Sequence, residues 1–178
     1  APDGGWYVAD AGANAILKVT NNGKVEVLHV PRPQKIVVSA EAAQAQGLPD
    51  CVVGLPFAFE PVPTDVEMNS AGFVIASLLP GGPEDASLGA RGAVIRVAPW
   101  DNEWSPLATG FLGATNVAIG PGGRIYVAEL FGNRVSMLHH GAITTVAQVP
   151  NPAAVDYAHG HLYASIDAFG DGQIVTLE

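Results

Sequence analysis

The sequence predicts an all-β fold: a β-propeller fragment of about four blades, part of a larger ring. Three observations predict it. A four-part strand motif recurs in order along the chain. Turn-forming residues are abundant, with 21 Gly and 14 Pro among 178 residues. Long Glu/Lys/Leu-rich helical stretches are absent, while 48% of residues are hydrophobic and only 14% charged. That mixture suits many short strands joined by tight turns.

The repeat is clearest where Pro2-Asp3-Gly4-Gly5-Trp6-Tyr7-Val8-Ala9-Asp10 matches Pro121-Gly122-Gly123-Arg124-Ile125-Tyr126-Val127-Ala128-Glu129. Weaker copies are Gly72-Phe73-Val74-Ile75-Ala76-Ser77 and Gly160-His161-Leu162-Tyr163-Ala164-Ser165. In each, a glycine suits a tight turn with positive φ. The apolar run after it suits a strand buried on both faces. A second motif follows each copy: Ile16-Leu17-Lys18-Val19, Val94-Ile95-Arg96-Val97, Val135-Ser136-Met137-Leu138 and Ile174-Val175-Thr176-Leu177. A third precedes three of them: Thr64-Asp65-Val66, Thr115-Asn116-Val117 and Ala153-Ala154-Val155. A fourth closes three of them after a turn, at residues 24–28, 104–107 and 142–146. Four strands per repeat, a to d from the axis outward, define a propeller blade.

The blades fall at about 1–30, 63–110, 111–149 and 150–178, with an insertion at 31–62. Counting motifs gives three, four, four and three strands. The first blade has no strand a and the last no strand d. Open blade flanks favour association. The expected partners are therefore the rest of its own propeller or a second copy of the chain. Within the insertion, Ser39 suits an N-cap, the alanines after it favour helix, and Gly47 suits the helix end, so one short helix is predicted over 39–46. Pro56, Pro61 and Pro63 then impose an extended path back to the ring.

Alternating strand direction converts position into a face. Links from d to a and hairpins from b to c share one face, the top; turns from a to b and from c to d share the bottom. Both long excursions, 31–62 and 78–92, map to the top, as do more than half of the 17 acidic residues, Glu84 and Asp85 among them. Long loops on one face of a rigid scaffold are where binding usually sits. Asp65 and Asn116 occupy equivalent places near the top of innermost strands in adjacent blades, and Glu60 lies just upstream. Oxygen ligands converging on the channel would suit calcium. The competing reading is that Thr-Asp and Thr-Asn hydrogen-bond the turn leading into strand a. Ala154 at the third equivalent place interrupts a ring of ligands.

Other residues carry less. His139, His140, His159 and His161 read as solvated turn histidines. Trp6, Trp100 and Trp104 read as blade packing. Cys51, the single cysteine, excludes a disulfide framework within the chain and reads as a buried thiol. A net charge of -9, with no basic stripe, argues against nucleic acid. No apolar run reaches the roughly 18 residues of a membrane span. The N-terminus lacks a signal peptide's charged start and apolar run, so it is expected to be a mature or trimmed end.

These blade motifs resemble those of NHL and SMP-30-like propellers. More narrowly, residues 2–10 with Asn14-Ala15-Ile16-Leu17-Lys18-Val19, the segment Pro63-Thr64-Asp65-Val66 and the ending at 162–177 resemble the ScyD/ScyE family. The resemblance implies the C-terminal portion of a secreted, extracytoplasmic bacterial propeller of six blades. It implies no catalytic residues. Three functions compete: a non-enzymatic binding or scaffold module using the acidic top face, a calcium-dependent lactonase or hydrolase resembling SMP-30, and a lyase or other propeller enzyme.

Overall fold

The computed structural model describes residues 1–82 and 88–177; Glu84 and Asp85 lie outside the described residues. Its strands form antiparallel sheets in chain order. The first sheet is β1 (Trp6–Asp10), β2 (Ala15–Val19) and β3 (Val25–His29). An insertion carries β4 (Gln34–Val37), α1 (Ala40–Ala45) and β5 (Pro56–Phe59). The second sheet is β6 (Pro63–Met68), β7 (Val74–Leu78), β8 (Gly92–Val97) and β9 (Trp104–Phe111). The third is β10 (Ala114–Ile119), β11 (Ile125–Glu129), β12 (Arg134–His139) and β13 (Ala142–Gln148). The fourth is β14 (Ala154–Ala158), β15 (His161–Ile166) and β16 (Gln173–Leu177). The chain is a β-propeller arc in which β6, β10 and β14 stand side by side around the axis, and β1 packs against β6 from the first blade as β7 packs against β10.

Apolar residues alternate between blade interfaces, as a period of two requires. Val74, Ala76 and Leu78 of β7 join Ile16 and Leu28 between the first and second sheets. Ile75, between them in sequence, joins Phe111, Val117 and Val127 between the second and third. Ala118, Ala128 and Val135 meet Val155, Leu162 and Ala164 between the third and fourth. This is why β7 reads as one continuous apolar run: all five of its residues are buried. The first sheet differs, because its face away from the second is open. Trp6 and Val8 of β1 and Val25 and Val27 of β3 are exposed there.

The face assignments follow from contacts. Gln34 Nε2 donates to the Arg91 carbonyl at 3.0 Å, the Gly81 N–H donates to the Glu60 carbonyl at 2.7 Å, and the Arg91 guanidinium lies 4.5 Å from the Phe59 ring centre. The insertion and the β7–β8 hairpin therefore share one side of the ring. At the opposite end, Asn69 and Gly123 of a–b turns and His140 and Gly141 of a c–d turn line a single crevice.

Three expectations from sequence are corrected. The path back from the helix is not merely extended: β5 folds against β4 as a hairpin around α1, because the prolines occupy its end and the stretch beyond, where no ladder donor is needed. Helix α1 itself forms as expected, with the Ser39 hydroxyl accepting the Ala42 N–H at 3.1 Å. Cys51 is exposed, since it sits in a short 3-10 turn, Asp50–Val52, on the surface of the insertion. Trp100 and Trp104 are 62% and 42% exposed at the second blade's outer turn, so blade packing does not account for them, whereas Trp6, 71% exposed, lies on the open flank of the first blade.

One buried charge organises the third blade. Glu129 has no exposed surface, and its carboxylate accepts from Leu112 N at 2.7 Å, from Arg134 Nε at 2.7 Å and Nη2 at 2.9 Å, and from Ser136 Oγ at 2.5 Å. It ties the β11–β12 hairpin to the link between β9 and β10. Asp10 holds the same motif position in the first blade, but its shorter side chain only accepts the Ala13 N–H within its own hairpin, at 2.9 Å. Removing Glu129 strands an arginine and a backbone donor. Glu129→Ala should cost about 3–5 kcal/mol, read from urea unfolding, whereas Asp10→Ala should cost roughly 1 kcal/mol.

Candidate functional site at the inner strands

The innermost strand of a propeller blade has one edge paired with its neighbour and one edge facing the channel. Its channel-side N–H groups need acceptors. In this chain those acceptors come from the preceding blade. Asp65 Oδ2 accepts the Val117 N–H at 3.0 Å, and Glu67 Oε2 accepts the Ile119 N–H at 2.9 Å. One blade further on, Asn116 Oδ1 accepts the Val155 N–H at 2.7 Å. The two side chains also meet each other: Asn116 Nδ2 donates to Asp65 Oδ2 at 2.6 Å. This chain of bonds fixes the Asn116 amide orientation, since the reverse would set its NH₂ against the Val155 N–H.

Local sequence produces the aim of these side chains. The pairing of β6 with β7 slips between Pro63 and Asp65, and that of β10 with β11 slips between Ala114 and Asn116. Thr64 and Thr115 are the extra residues, so the Thr-Asp-Val and Thr-Asn-Val motifs are β-bulges, which re-aim the side chains beside them. Thr64 anchors its bulge with Oγ1 2.9 Å from Ser77 Oγ and 3.0 Å from the Ala114 carbonyl, to which it donates. In the last sheet Ala154 pairs with Ser165 without a slip, and Ser165 Oγ accepts the Ala154 N–H at 3.0 Å instead. With the bulge in place, Val66 packs toward the first blade while Asp65 and Glu67 reach the third.

The structure thus brings Asp65 and Asn116 into direct contact. Glu60 lies past the end of β5, where its backbone carbonyl bonds Gly81; no hydrogen bond joins its carboxylate to Asp65 or Asn116. Among the described residues, no group of three or more His, Cys, Asp and Glu side chains is placed to hold a metal ion. Glu67 was not singled out from sequence, although it lies two residues beyond Asp65 and period-two alternation puts it on the same side. Burial pushes the carboxyls of both Asp65 and Glu67 above their ordinary values, partly offset by the backbone N–H each accepts. For Glu67, the neighbouring Asp65 and Asp156 charges push the same way.

No family model and no curated protein matches the chain. Its fold does match solved structures. A virginiamycin B lyase from Staphylococcus aureus superposes with a TM-score of 0.63 at 14% identity, over 99% of this chain and 52% of that one. A gluconolactonase from Xanthomonas campestris gives 0.64 at 16% identity, over 97% and 58%. A calcium-binding regucalcin from Agrobacterium tumefaciens gives 0.53 at 12% identity, over 97% and 67%. The chain spans between about half and two thirds of these β-propellers, and at such identities the likeness is one of fold.

A pH prediction follows from the raised carboxyls. A carboxyl whose folded value lies above its unfolded one contributes stability below the unfolded value and loses it as pH rises through the folded value. Wild type should therefore lose stability, relative to the double variant Asp65→Asn/Glu67→Gln, as pH rises from the ordinary carboxylate range toward neutrality. Paired urea titrations across that range check it. Asp65→Ala, which leaves the Val117 N–H and the Asn116 amide without their acceptor, should cost about 1–3 kcal/mol.

Proposed function

We propose that the chain is a binding or scaffold segment of a secreted bacterial β-propeller, without catalytic chemistry of its own, presenting its loop-rich acidic top face to a partner. The carrying observation is the use made of the inner polar residues. Asp65 Oδ2 already receives two donors and Asn116 Oδ1 receives one, each bond stitching blade to blade. Fold likeness alone does not decide function. The resemblance of residues 2–10, 14–19, 63–66 and 162–177 to the ScyD/ScyE family supports the same reading.

The alternative is a calcium-dependent lactonase or hydrolase. What favours it is a set of half-buried carboxyls, Asp65 and Glu67, on strands facing the axis, together with the likeness to a gluconolactonase and a calcium-binding regucalcin. The donor set does not fit the ion as it stands. Calcium takes six to eight oxygens, and three of those the inner strands offer, Asp65 Oδ2, Glu67 Oε2 and Asn116 Oδ1, each already accept a backbone N–H. Calorimetric titration of the chain with calcium should therefore give no saturable heat in the micromolar range. Saturable micromolar binding that Asp65→Asn abolishes would favour the lactonase.

Assembly belongs to the same proposal. Trp6, Val8, Val25 and Val27 leave an apolar sheet face open on the first blade. Covering apolar area is worth roughly 25 cal/mol per Å². The rest of the same propeller or a second copy is the proposed cover. Light scattering on the purified chain should report an associated species, and a monodisperse monomer at micromolar concentration would contradict it.

A further inference from the structure

The turn joining β8 to β9 differs from the other turns of its kind. Residues 20–24 and 139–142 turn tightly on Asn-Asn-Gly and His-His-Gly, whereas residues 98–103 carry Ala-Pro-Trp-Asp-Asn-Glu, followed by Trp104. The longer turn is firmly built. The Ala98 N–H donates to the Glu103 carbonyl at 2.7 Å, the Asn102 N–H to the Ala98 carbonyl at 2.9 Å, and the Glu103 N–H to Asp101 Oδ1 at 3.0 Å. Asn102 adopts a φ of 61°, a left-handed conformation that asparagine tolerates. This scaffold holds Trp100 edge-on to Phe73, with ring centres 4.8 Å apart, while Trp104 leans on His29 at 5.2 Å.

Between the two indoles lies an open cleft of about 260 Å³, lined by Phe73, Arg96, Trp100, Asp101, Glu103 and Trp104. Both tryptophans keep much of their surface in water, 62% and 42%. The Arg96 guanidinium lies 4.6 Å from the Phe73 ring centre, and neither it nor Asp101 nor Glu103 forms an ion pair among the described residues. Asp101 helps to build the turn and Arg96 covers Phe73, but among the described residues their charges, with that of Glu103, are left without an ion-pair partner beside exposed aromatic rings. Aromatic walls with a few convergent polar groups are the usual make-up of a small-ligand site.

The charge pattern selects the ligand. A cation would meet the Arg96 guanidinium, and an anion would meet the Asp101 and Glu103 carboxylates. A neutral polyhydroxylated ligand suits both, since each hydroxyl can donate to a carboxylate and accept from the guanidinium or from the Ser105 hydroxyl that also borders the cleft. The apolar face of a sugar ring, in turn, can lie on an indole. We propose that this cleft is a binding site for neutral saccharides, one or two rings at a time, at the end of the ring opposite the long top loops. It does not depend on what the top face binds.

The test titrates the full chain with cellotetraose, maltotetraose and chitotetraose, read by tryptophan fluorescence and calorimetry. At least one should saturate, and Trp100→Ala should weaken that binding tenfold or more. Trp104 lies in β9, so Glu103→Gln, which preserves shape, serves as the second variant and should weaken binding severalfold with an unchanged circular dichroism spectrum. Trp6→Phe should leave the signal intact. The proposal is overturned if no oligosaccharide saturates up to about 10 mM, beyond which affinity falls under roughly 3 kcal/mol. It is equally overturned if Trp100→Ala and Glu103→Gln leave binding unchanged, or if choline or inorganic phosphate binds there in place of the sugars.

Discussion

The unpaired inner edge of each blade is the constraint on which this structure depends. A four-stranded blade satisfies its backbone everywhere except along strand a and strand d, and strand a cannot be shed without opening the ring. The chain resolves this by lending side chains from one blade to the next. Asp65 and Glu67 cap the third blade's inner strand, and Asn116 caps the fourth's. The same bonds set the angular order of the blades, because each acceptor reaches only the strand beside it. Apolar alternation does the complementary work on the other side of the strand: Val66 and Val117 pack backward while their polar neighbours reach forward.

This arrangement limits what the channel wall can do chemically. An oxygen that accepts a backbone N–H keeps only part of its capacity for a ligand, and its direction is fixed by the blade it reaches. Burial raises the carboxyls of Asp65 and Glu67, opposing the ionised form that their hydrogen bonds favour. The tension between desolvation and hydrogen bonding sits at the blade interface. By contrast, Glu129 is fully buried yet meets a guanidinium, a hydroxyl and a backbone N–H, and it acts as a fastening between the third blade and the link preceding it. Polar residues that look alike in the repeat therefore divide into fasteners of the backbone and groups left over. Three charged groups that form no ion pair among the described residues sit at the bottom turn of the second blade, where Arg96, Glu103 and Asp101, which also accepts the Glu103 N–H, surround two exposed indoles.

The sequence made the blade strands legible because each strand is short, apolar and punctuated by glycine or asparagine turns. It also placed Asp65 and Asn116 at matching positions, and these do meet. What they meet for was not legible, since Thr-Asp-Val reads equally as a turn, a ligand set or a bulge until the pairing slip at Thr64 is seen. The β4–β5 hairpin was missed because helix α1 and the Asp50–Val52 turn separate its strands. Trp100 was missed as a surface residue because an aromatic in a repeat reads as packing by default, and only the turn's own hydrogen bonds hold it out in the solvent.

By itself, then, the sequence determined the fold class, the order of the strands and the face on which each loop emerges, because those follow from periodicity and turn chemistry, which are local. The tertiary structure alone decided which polar groups are spent on neighbouring backbone and which remain free. That partition depends on the distance between side chains in one blade and N–H groups in the next, about fifty residues away in the case of Asp65 and Val117. Residue type records only that a carboxylate can accept a hydrogen bond; the closing of one blade against another chooses the donor.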